Sequence, residues 1–481
     1  MPLNIKRFNF PHVFIFLSGI VLFCAALTYV IPSGAFERTS RSVDGSEQTV
    51  VVPGSYERLP KEISLKGVIL GEKVEGKASP TSLLDLFMAI PKGLNGSAAL
   101  IFFVFTIGAV FNLIRHTGTV HAIIYRLMHR FRKRPELLIL SIYVFILLLS
   151  TFLGGGNELM PLIPLFLIIA RKYGYDRLFG LSLLLVPLAL GWTVALTNPF
   201  TVQIAQAIAE VPLGSGIGFR LVLLLLIGGG GFLFMMRYGR KVKLDPSHSH
   251  MPEDPFELSD DLEENETKME RKHLWIAGVA AGMFAAILYA VQTLGWGPIE
   301  MTGGFFIVGV LTILISGMSG SESMKAFVKG LEIMIIPALV IGFARGIQVV
   351  MLEGQILDTI LHATAGMLAK LPRVLAAEGM FLFQSFLNFF IPSASGQAMV
   401  SMPLMVPLAD LLGITRQTAV LAFTLGDGLS NMIIPTNGIL MAMLGLAGIP
   451  YERWARYILP LFLVTTVIGF LALGLAVAIS Y

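Results

Sequence analysis

The chain has 481 residues, of which 55% are hydrophobic and only 14% are charged, and its mean hydropathy is +0.77. Soluble globular proteins carry about 25% charged residues, so this chain has too little charge to cover a water-facing surface of its size. A soluble enzyme, a secreted disulfide scaffold and a disordered protein are therefore excluded. Apolar runs of about 20 residues can cross a bilayer, and such runs recur along the chain, which predicts an all-α polytopic membrane protein.

Charge and cysteine content limit the choice of partners. Lys and Arg exceed Asp and Glu by four, which in a membrane protein typically reflects basic cytoplasmic loops rather than nucleic acid binding. The single cysteine, Cys24, lies in the first apolar run and excludes an internal disulfide or a thiolate metal cluster. We expect the lipid bilayer as a partner, with no nucleic acid and no bound cofactor.

About nine membrane spans and two re-entrant hairpins are predicted in chain order. Two long apolar runs predict broken helices. Run 178–209 is interrupted at 197–199, and run 417–446 is interrupted at 426–428 and again at 435–438. Segments 137–173 and 374–412 each consist of an apolar arm, a small polar stretch and a second apolar arm, which indicates a helical hairpin that returns to its own side. The uninterrupted spans are 13–31, 98–113, 219–236, 274–294, 301–318, 333–352 and 457–480.

The basic residues support this topology. With the N-terminus in the cytoplasm, the C-terminus outside and both hairpins returning, 22 Lys and Arg lie in cytoplasmic segments and 12 lie outside. Eight of those 12 belong to the long outer segment 32–97, and long loops count little in the positive-inside rule. The remaining basic residue, Arg345, lies within a span.

The segments between the spans are predicted to be of three kinds. Segment 32–97 contains a β-like patch at 49–54 and predicts a small extracellular cap. Residues 245–273 form a flexible acidic cytoplasmic linker, since ten acids lie between positions 245 and 270 with little apolar periodicity. Residues 119–132 and 354–370 are amphipathic and predict surface helices.

The two halves, 1–244 and 274–481, are predicted to be inverted repeats. At a shift of 239, eight of the 35 positions from 164 to 198 are identical, and these include Thr197 with Thr436 and Asn198 with Asn437. Inverted repeats with broken helices indicate the central site of a transporter. Kinks in two packed helices are the alternative explanation of one break, but they account less well for two breaks and two polar hairpin tips at matching positions.

The breaks and tips are predicted to converge near the middle of the membrane. Asn198 and Asn437 would cap the half-helices after the breaks, and Asn157 and Ser395 would cap the second arms of the hairpins. Helix N-termini attract a carboxylate, while free carbonyls with Asn, Thr and Ser oxygens suit Na⁺. We expect substrate-binding roles for Asn157, Glu158, Thr197, Asn198, Ser393, Ser395, Thr436, Asn437 and Arg345, and coupling-ion roles for Asp427, Asn198, Asn437, Gly156 and Ser395.

Three ionisable residues lie deep in the predicted membrane. Such residues are costly and usually functional. Asp427, in the predicted break at 426–428, has no acidic counterpart in the first half, which suits a coupling site for Na⁺ or H⁺, with a structural hydrogen bond as the alternative. Arg345 either holds a substrate carboxylate or pairs with Asp427. Glu158 lies at the first hairpin tip.

Several motifs make the chain resemble a known family. Gly-Tyr-Asp-Arg at 174–177, Thr-Asn-Pro-Phe at 197–200 and Gly-Asp-Gly-Leu-Ser-Asn-Met-Ile-Ile-Pro-Thr at 426–436 resemble the anaerobic C4-dicarboxylate carrier-like family, YfcC type, of the ion transporter superfamily. The resemblance extends to Pro-Ser-Gly-Ala-Phe at 32–36 and Pro-Gly-Ser-Tyr at 53–56. It implies that hairpin tips and broken helices bind substrate and Na⁺, that a scaffold domain forms a homodimer, and that the chain resides in a bacterial cytoplasmic membrane.

The resemblance leaves the substrate open. The family includes proposed arginine/ornithine exchangers, and the first tip, 154–158, lacks the Ser-Asn-Thr of sodium-dicarboxylate carriers. We expect a secondary active transporter of a small carboxylate-bearing solute, a C4-dicarboxylate or an amino acid, that works by elevator-like or rocking motion. The alternatives are a passive channel and a membrane hydrolase with Ser393 or Ser395 as nucleophile and His362 as base, although a hydrolase needs no mirrored copy.

Overall fold

The computed structural model describes residues 13–43, 46–71, 77–131, 133–251 and 269–481, and helices dominate it. Within these ranges eight helices are long and apolar enough to cross a membrane. Most of the predicted linker, residues 252–268, lies outside the described part of the chain, as do residues 44–45 and 72–76 of the predicted cap.

The first half begins with one long helix and a small mixed segment. β1 pairs with β4 and β2 pairs with β3, both antiparallel. The elements are α1 (Val13–Val30), β1 (Gly34–Ala35), β2 (Arg38–Val43), β3 (Ser46–Val51), β4 (Glu57–Arg58), α2 (Leu65–Leu70), α3 (Leu83–Gly96), α4 (Ala98–His116), α5 (Thr119–Arg130), α6 (Pro135–Leu153), a 3-10 helix (Asn157–Leu162), α7 (Ile163–Lys172), α8 (Arg177–Val194), α9 (Val202–Ile208) and α10 (Ile217–Leu244).

In the described residues of the second half, all regular elements are helices. Its elements are a 3-10 turn (Pro246–His248), α11 (Arg271–Thr293), α12 (Pro298–Ser316), α13 (Gly320–Ile333), α14 (Ile335–Glu353), α15 (Leu357–Leu368), α16 (Arg373–Phe390), α17 (Ala394–Leu412), α18 (Arg416–Ser430), α19 (Gly438–Ala447) and α20 (Tyr451–Ala478). Both hairpins and both broken helices are therefore present, α6 with α7 and α16 with α17, then α8 with α9 and α18 with α19.

The order of elements repeats between the halves. Moving α3–α6 and α8–α10 along the chain by 239 residues brings their starts to within five residues of the starts of α13–α16 and α18–α20. The packing repeats as well, because α3 packs on α14 while α13 packs on α4, and α6 packs on α8 while α16 packs on α18. This exchange of partners is the arrangement expected of the predicted inverted-repeat fold.

Two groups of helices can be distinguished by their contacts. The scaffold group comprises α1, α3, α4 and α11–α14, and the hairpin group comprises α6–α10 and α16–α20. The groups meet where α19 packs on α14 and where the 3-10 helix Asn157–Leu162 contacts α4. The surface helices α5 and α15, both predicted, follow the last long scaffold helix of each half.

Residues 83–96 and 320–333 lie outside the predicted spans. Both segments are helices, and α3 approaches α14 so closely that a Cβ at Gly93 would lie 2.3 Å from the carbonyl oxygen of Gly342. Both helices are amphipathic, and α3 contains the charged residues Asp85 and Lys92. Their mean hydropathy is therefore too low for them to be predicted as membrane spans. Residues 32–97 consequently comprise a small mixed segment followed by a scaffold helix, and not a cap alone.

The predicted helix break at 426–428 was also wrong. α18 continues through Ser430, and the two glycines allow close helix contacts instead. A Cβ at Gly426 would lie 2.7 Å from the carbonyl oxygen of Phe381 in α16, and a Cβ at Gly428 would lie 2.3 Å from the backbone nitrogen of Thr193 in α8. Small residues permit such close approach between membrane helices. The break itself lies at 431–437, which confirms the position of the second predicted interruption, 435–438.

Replacing Gly428 with valine is expected to destabilise the contact between α18 and α8. Overpacking costs about 1–3 kcal/mol, and the blocking atoms here belong to the Thr193 backbone, which cannot rotate away. Thermal unfolding of the detergent-solubilised protein should show a lower midpoint for Gly428→Val. Gly229→Val is the matched control, because a Cβ at Gly229, also inside a long helix, would meet no atom within 4 Å. Equal midpoints for the two variants would contradict this packing account.

The predicted cap is attached to α15 by polar and aromatic contacts. Arg38 donates hydrogen bonds from its Nη2 to both carboxylate oxygens of Asp358 at 2.9 and 3.0 Å. The Tyr56 ring stacks on the His362 ring with 4.1 Å between centroids and 7° between planes. His362, the base of the hydrolase alternative, is therefore engaged by the cap and does not line the cavity that contains Ser393 and Ser395.

Candidate solute site

A cavity of about 360 Å³ lies between the two hairpin tips. Its walls come from the tip after α6, the tip before α17, the middle of α8, the second break and the loop between α11 and α12. Trp192 of α8 and Trp296 of that loop provide aromatic surface on the two groups of helices. A concave, mostly apolar cavity with a few converging polar groups is typical of a small-molecule site.

Five of the predicted site residues line this cavity. They are Gly156, Glu158, Ser393, Ser395 and Asn437. The predicted residues absent from its described lining are Thr197, Asn198, Thr436, Arg345 and Asp427. Asn157 begins the 3-10 helix at the first tip, but its side chain lies outside the described part of the structure.

Glu158 is the one ionisable side chain among the described residues that line the cavity. It is 5% exposed, and its Oε1 accepts a hydrogen bond from the Gly156 backbone N–H at 2.8 Å. The tip is held to α8 because Trp192 Nε1 donates to the Gly155 carbonyl oxygen at 2.8 Å. This places an acidic group at the wall of the cavity, where it can attract a cation or an ammonium group.

The second tip presents a helix N-terminus without a side-chain cap. α17 begins at Ala394 with Ser393 at the N-cap position, and the Ser393 side chain makes no capping hydrogen bond. The predicted cap Ser395 was wrong, since this residue lies inside the first turn. Free N–H groups at the start of a 19-residue helix carry partial positive charge. Their position at the cavity wall makes them the best-placed donors for a carboxylate.

The second break ends in the cap that was predicted. Asn437 Oδ1 accepts hydrogen bonds from the N–H groups of Ile439 and Leu440 at 3.0 and 3.3 Å, at the start of α19. Its Nδ2 donates to Asn431 Oδ1 at 2.9 Å, and Asn431 also lines the cavity. Asn431 Nδ2 in turn donates to Asp427 Oδ1 at 3.3 Å.

Asp427 is thereby connected to the cavity without lining it. Its side chain is fully buried, and its Oδ2 has no hydrogen-bond partner among the described residues. Asn388 contacts the same turn by donating to the Asp427 carbonyl oxygen at 3.0 Å. Asn431, which the sequence interpretation missed, is the link, and its position four residues after Asp427 in a helix is the signal that could have revealed it.

Replacing Asn437 with alanine is expected to lower solute uptake at least about tenfold. The change removes a helix cap, worth about 1 kcal/mol, and the donor to Asn431. Asn437→Asp separates the two effects, because a carboxylate can cap α19 but cannot donate to Asn431. We expect Asn437→Asp to restore the unfolding midpoint and not the uptake rate in proteoliposomes. Full uptake by the alanine variant would contradict a role for this residue in the site.

The first break binds the preceding hairpin rather than facing the cavity. The N–H groups of Leu196 and Thr197 donate to the Thr151 carbonyl oxygen at 3.0 and 3.2 Å, and Asn198 Nδ2 donates to the Ser150 carbonyl oxygen at 3.3 Å. These carbonyls belong to the last turn of α6, whose terminal acceptors need external donors. Thr197 adds a bond from its Oγ1 to the Phe152 carbonyl oxygen at 3.1 Å.

Asn198 was wrongly predicted to cap α9. Its Oδ1 accepts from the Phe200 N–H at 2.9 Å in a turn, while the helix begins at Val202 with Thr201 at the N-cap position. Thr436, the counterpart of Thr197 in the repeat alignment, is 1% exposed, and its Oγ1 has no hydrogen-bond partner among the described residues. The two breaks therefore differ, and in this structure the second one alone contributes its polar side chains to the cavity.

Arg220, in the first turn of α10, is fully buried. Its Nη1 donates to the Val194 carbonyl oxygen at 2.8 Å and to Thr424 Oγ1 at 2.9 Å. The guanidinium thus binds the C-terminal end of the α8 half-helix, where the dipole favours a cation. The sequence gave no sign of this role, because Arg220 is simply the second residue of the predicted span 219–236.

Arg345 does not pair with Asp427. It lies on α14 of the scaffold group, it is exposed, and its Nε lies 4.0 Å from where a Cβ of Gly96 would be. The alternative role, binding a substrate carboxylate, has no support from the cavity lining in this structure.

The chain matches one protein family over nearly its whole length. Residues 10–478 match DcuC, C4-dicarboxylate anaerobic carrier. The chain belongs to the DcuC family. It is accordingly a multi-pass membrane protein of a transporter family, and the hydrolase alternative has no support among its relatives.

Individual relatives agree with this membership. The DcuC-family chain is 30% identical over 478 residues to YfcC of Escherichia coli K12, covering 94% of this chain and 93% of that protein, whose name provisionally describes a basic amino acid antiporter. It is 26% identical over 503 residues to an uncharacterized protein of Haemophilus influenzae, covering 98% of each.

Two solved structures are similar over almost the full chain. The YdaH transporter of Alcanivorax borkumensis has a TM-score of 0.43 and 17% identity, covering 98% of this chain and 99% of that one. MtrF of Neisseria gonorrhoeae has a TM-score of 0.42 and 16% identity, covering 97% and 95%.

Proposed function

We propose that this DcuC-family chain is a secondary active transporter of a small carboxylate-bearing solute, a C4-dicarboxylate or an amino acid, across the bacterial cytoplasmic membrane. The observation that carries the proposal is the cavity enclosed by polar groups from both halves of the chain, with Glu158 on one hairpin tip and Ser393 and Ser395 on the other. A site shared between two repeats suits alternating access, since it can open to either side.

The charges around the cavity favour an amino acid within this class. The uncapped N-terminus of α17 supplies donors for a carboxylate. Glu158 supplies a negative group for an ammonium. A solute that carries both charges satisfies both ends of the cavity, whereas a dicarboxylate would bring a second anion close to Glu158 and would need a compensating cation.

Asp427 is the proposed coupling residue. A buried carboxylate with one free oxygen is costly in its ionised form unless a proton or a cation compensates it, and Oδ2 of Asp427 is such an oxygen among the described residues. Binding of Na⁺ or H⁺ there would be transmitted to the solute cavity through Asn431 and Asn437. Gly156 and Ser395 are further proposed contributors to a coupling-ion site, because both line the cavity.

The two groups of helices support an elevator-like mechanism. The cavity lies mainly on the hairpin group, and its Trp296 side belongs to the scaffold group. Movement of the hairpin group along α14 and α4 would carry the solute between the two faces of the membrane. We propose that scaffold helices of two chains form a homodimer, with each N-terminus in the cytoplasm and each C-terminus outside.

A basic amino acid exchanger of the arginine/ornithine type is the second candidate. Glu158 favours it, because an acidic group without a described cationic neighbour in the cavity suits a solute with a positive side chain. The provisional description of the relative YfcC as a basic amino acid antiporter points the same way.

Counterflow in proteoliposomes tests these proposals. Vesicles loaded with unlabelled succinate, fumarate, a neutral amino acid, arginine or ornithine should accumulate the corresponding labelled solute when the protein is present, with and without gradients of Na⁺ and H⁺. We expect saturable counterflow with amino acids and weaker counterflow with dicarboxylates. Flux that does not saturate and shows no counterflow would indicate a channel and contradict the proposal.

A further inference from the structure

A second cavity lies at the basic end of the hairpin group and takes no part in the solute site. Its volume is about 750 Å³, and it lies between α10, α20 and the turn Pro246–His248. Apolar residues of the two helices line one part of the cavity. Cations near the last turns of α10 and the first turns of α20 line the other part. The proposed transport mechanism uses none of these residues.

The cationic part of the cavity is not neutralised by its own lining. Arg237, Lys241 and Arg456 line it, and its described lining residues include no carboxylate. Within the described part of the chain, none of the three forms a salt bridge. Burial lowers the pKa of His250, so this imidazole contributes hydrogen-bonding groups rather than charge at neutral pH. The site therefore suits an anion.

The wall of this cavity is held in place by hydrogen bonds. Asp176 accepts from Ser249 Oγ at 2.7 Å and from the Tyr238 hydroxyl, which fixes residues 246–250 against α10. Arg453 donates to the His250 carbonyl oxygen from α20, and the His250 ring stacks on Tyr238 at 5.6 Å between centroids. The Asp176 carboxylate is thus occupied in building the wall, and Asp245 Oδ2 lies 3.3 Å from Nδ1 of the lining residue His248.

One position of a four-glycine run in α10, Gly230, lines the apolar part of the cavity. Gly228 and Gly231 face the protein, since a Cβ would lie 2.8 Å from Leu147 at the first position and 2.3 Å from Leu190 at the second. Gly229 and Gly230 pack against nothing, because a Cβ at either would meet no atom within 4 Å, and Gly230 lines the cavity. Along α10, the cavity continues into an exposed apolar strip that includes Leu233, Leu226 and Leu225.

We propose that this groove binds an anionic phospholipid, whose phosphate contacts Arg237, Lys241 and Arg456 and one of whose acyl chains lies over Gly230 and Leu233. Basic pockets between membrane helices on the cytoplasmic side bind anionic lipid headgroups, and the abundance of Lys and Arg at this end of α10 indicates the cytoplasmic side. A soluble phosphate would use the cations and leave the apolar strip without a function.

Native mass spectrometry of the detergent-solubilised full chain tests the cationic contacts. The wild-type protein should retain phosphatidylglycerol in preference to phosphatidylcholine, and Arg237→Gln with Arg456→Gln should reduce that retention at least about tenfold, since each basic contact contributes substantially to anionic lipid binding. Arg240→Gln with Lys243→Gln is the matched control, because it removes equal charge from the same end of the molecule outside the cavity. Equal retention of the two lipids, or equal losses in the two double variants, would overturn the proposal.

A glycine pair tests the acyl-chain contact independently of charge. Gly230→Leu should fill the groove and weaken phosphatidylglycerol retention, whereas Gly229→Leu, equally open but outside the cavity lining, should not. Competition with glycerol 1-phosphate tests whether a soluble phosphate compound occupies the groove instead of a lipid. If it displaces the lipid at equal concentration and Gly230→Leu has no effect, the groove is a soluble phosphate site and the lipid proposal is wrong.

Discussion

Replacing Glu158 with glutamine is expected to reduce amino acid counterflow at least about 30-fold. Removing one partner of a buried, hydrogen-bonded charge pair costs about 2–5 kcal/mol, and each 1.4 kcal/mol is about tenfold in affinity. Glutamine preserves size and can still accept from the Gly156 N–H through its amide oxygen, so the tip should keep its conformation. The loss should appear mainly as weaker solute binding, and it should be largest for a solute with a positive side chain.

Glu353→Gln is the control for Glu158→Gln. Glu353 is an acid at the end of α14, where it pairs with Lys92 at 2.7 Å away from the cavity, and its replacement should leave counterflow unchanged. If Glu158→Gln transports basic and neutral amino acids as the wild type does, this residue is not a solute contact. Selective retention of dicarboxylate transport would instead support the charge argument.

Replacing Asp427 with asparagine is expected to uncouple transport from the ion gradient. Accumulation driven by an Na⁺ or H⁺ gradient should fall at least about tenfold, because the carboxylate that needs a compensating cation is gone. Counterflow without a gradient should persist, since the side-chain oxygen of asparagine can still accept from Asn431. The measurement compares gradient-driven uptake with counterflow in the same vesicles.

Asp410→Asn is the matched control, because Asp410 lies in the same half of the chain but is paired with Arg416 at 2.9 Å at the end of α17. Gradient-driven uptake should be normal in this control. If Asp427→Asn accumulates solute as the wild type does, Asp427 holds a structural hydrogen bond and the coupling ion binds elsewhere. If Asp427→Asn loses both counterflow and stability, Asp427 likewise has a structural role.

The architecture was predictable because lipid imposes simple requirements on the sequence. Spans must be about 20 apolar residues long, and irregular backbone at depth is tolerated only inside protein or at a cavity. The small polar stretches at 154–158 and 393–397 therefore identified the hairpin tips, and the broken runs identified α8–α9 and α18–α19. The charge distribution then predicted that both hairpins return.

Hydropathy could not reveal helices whose partners are other parts of the same protein. α3 and α13 carry charges, and their helical state depends on packing against α14 and α4. Similarly, the sequence alone suggests that Gly426 and Gly428 break a helix. In the fold they allow close packing instead, because α16 approaches α18 at Gly426 and α8 approaches it at Gly428. Sequence composition does not distinguish these two uses of glycine.

The site was predictable by region and less so by residue. Matching positions in the repeat suggested equal roles for Asn198 and Asn437, yet Asn437 caps α19 at the cavity while Asn198 binds the end of α6. A repeat predicts which segments converge, but the direction of each side chain depends on the partner it meets. The buried Arg220 was missed for the same reason, since its partners come from α8 and α18, whereas Asn431 was missed although Asp427 lies only four residues before it.

Protection of the second tip by solute tests the central claim most directly. Cys24 is the only cysteine in the chain and is fully buried, so Ser395→Cys introduces one accessible thiol at the cavity wall and Ser321→Cys introduces one on an exposed position of α13. The rate of maleimide labelling in proteoliposomes should fall at position 395 when a solute active in counterflow is added, and should not change at position 321. Equal labelling of position 395 with and without that solute, in protein that still transports it, would contradict the assignment of this cavity as the solute site.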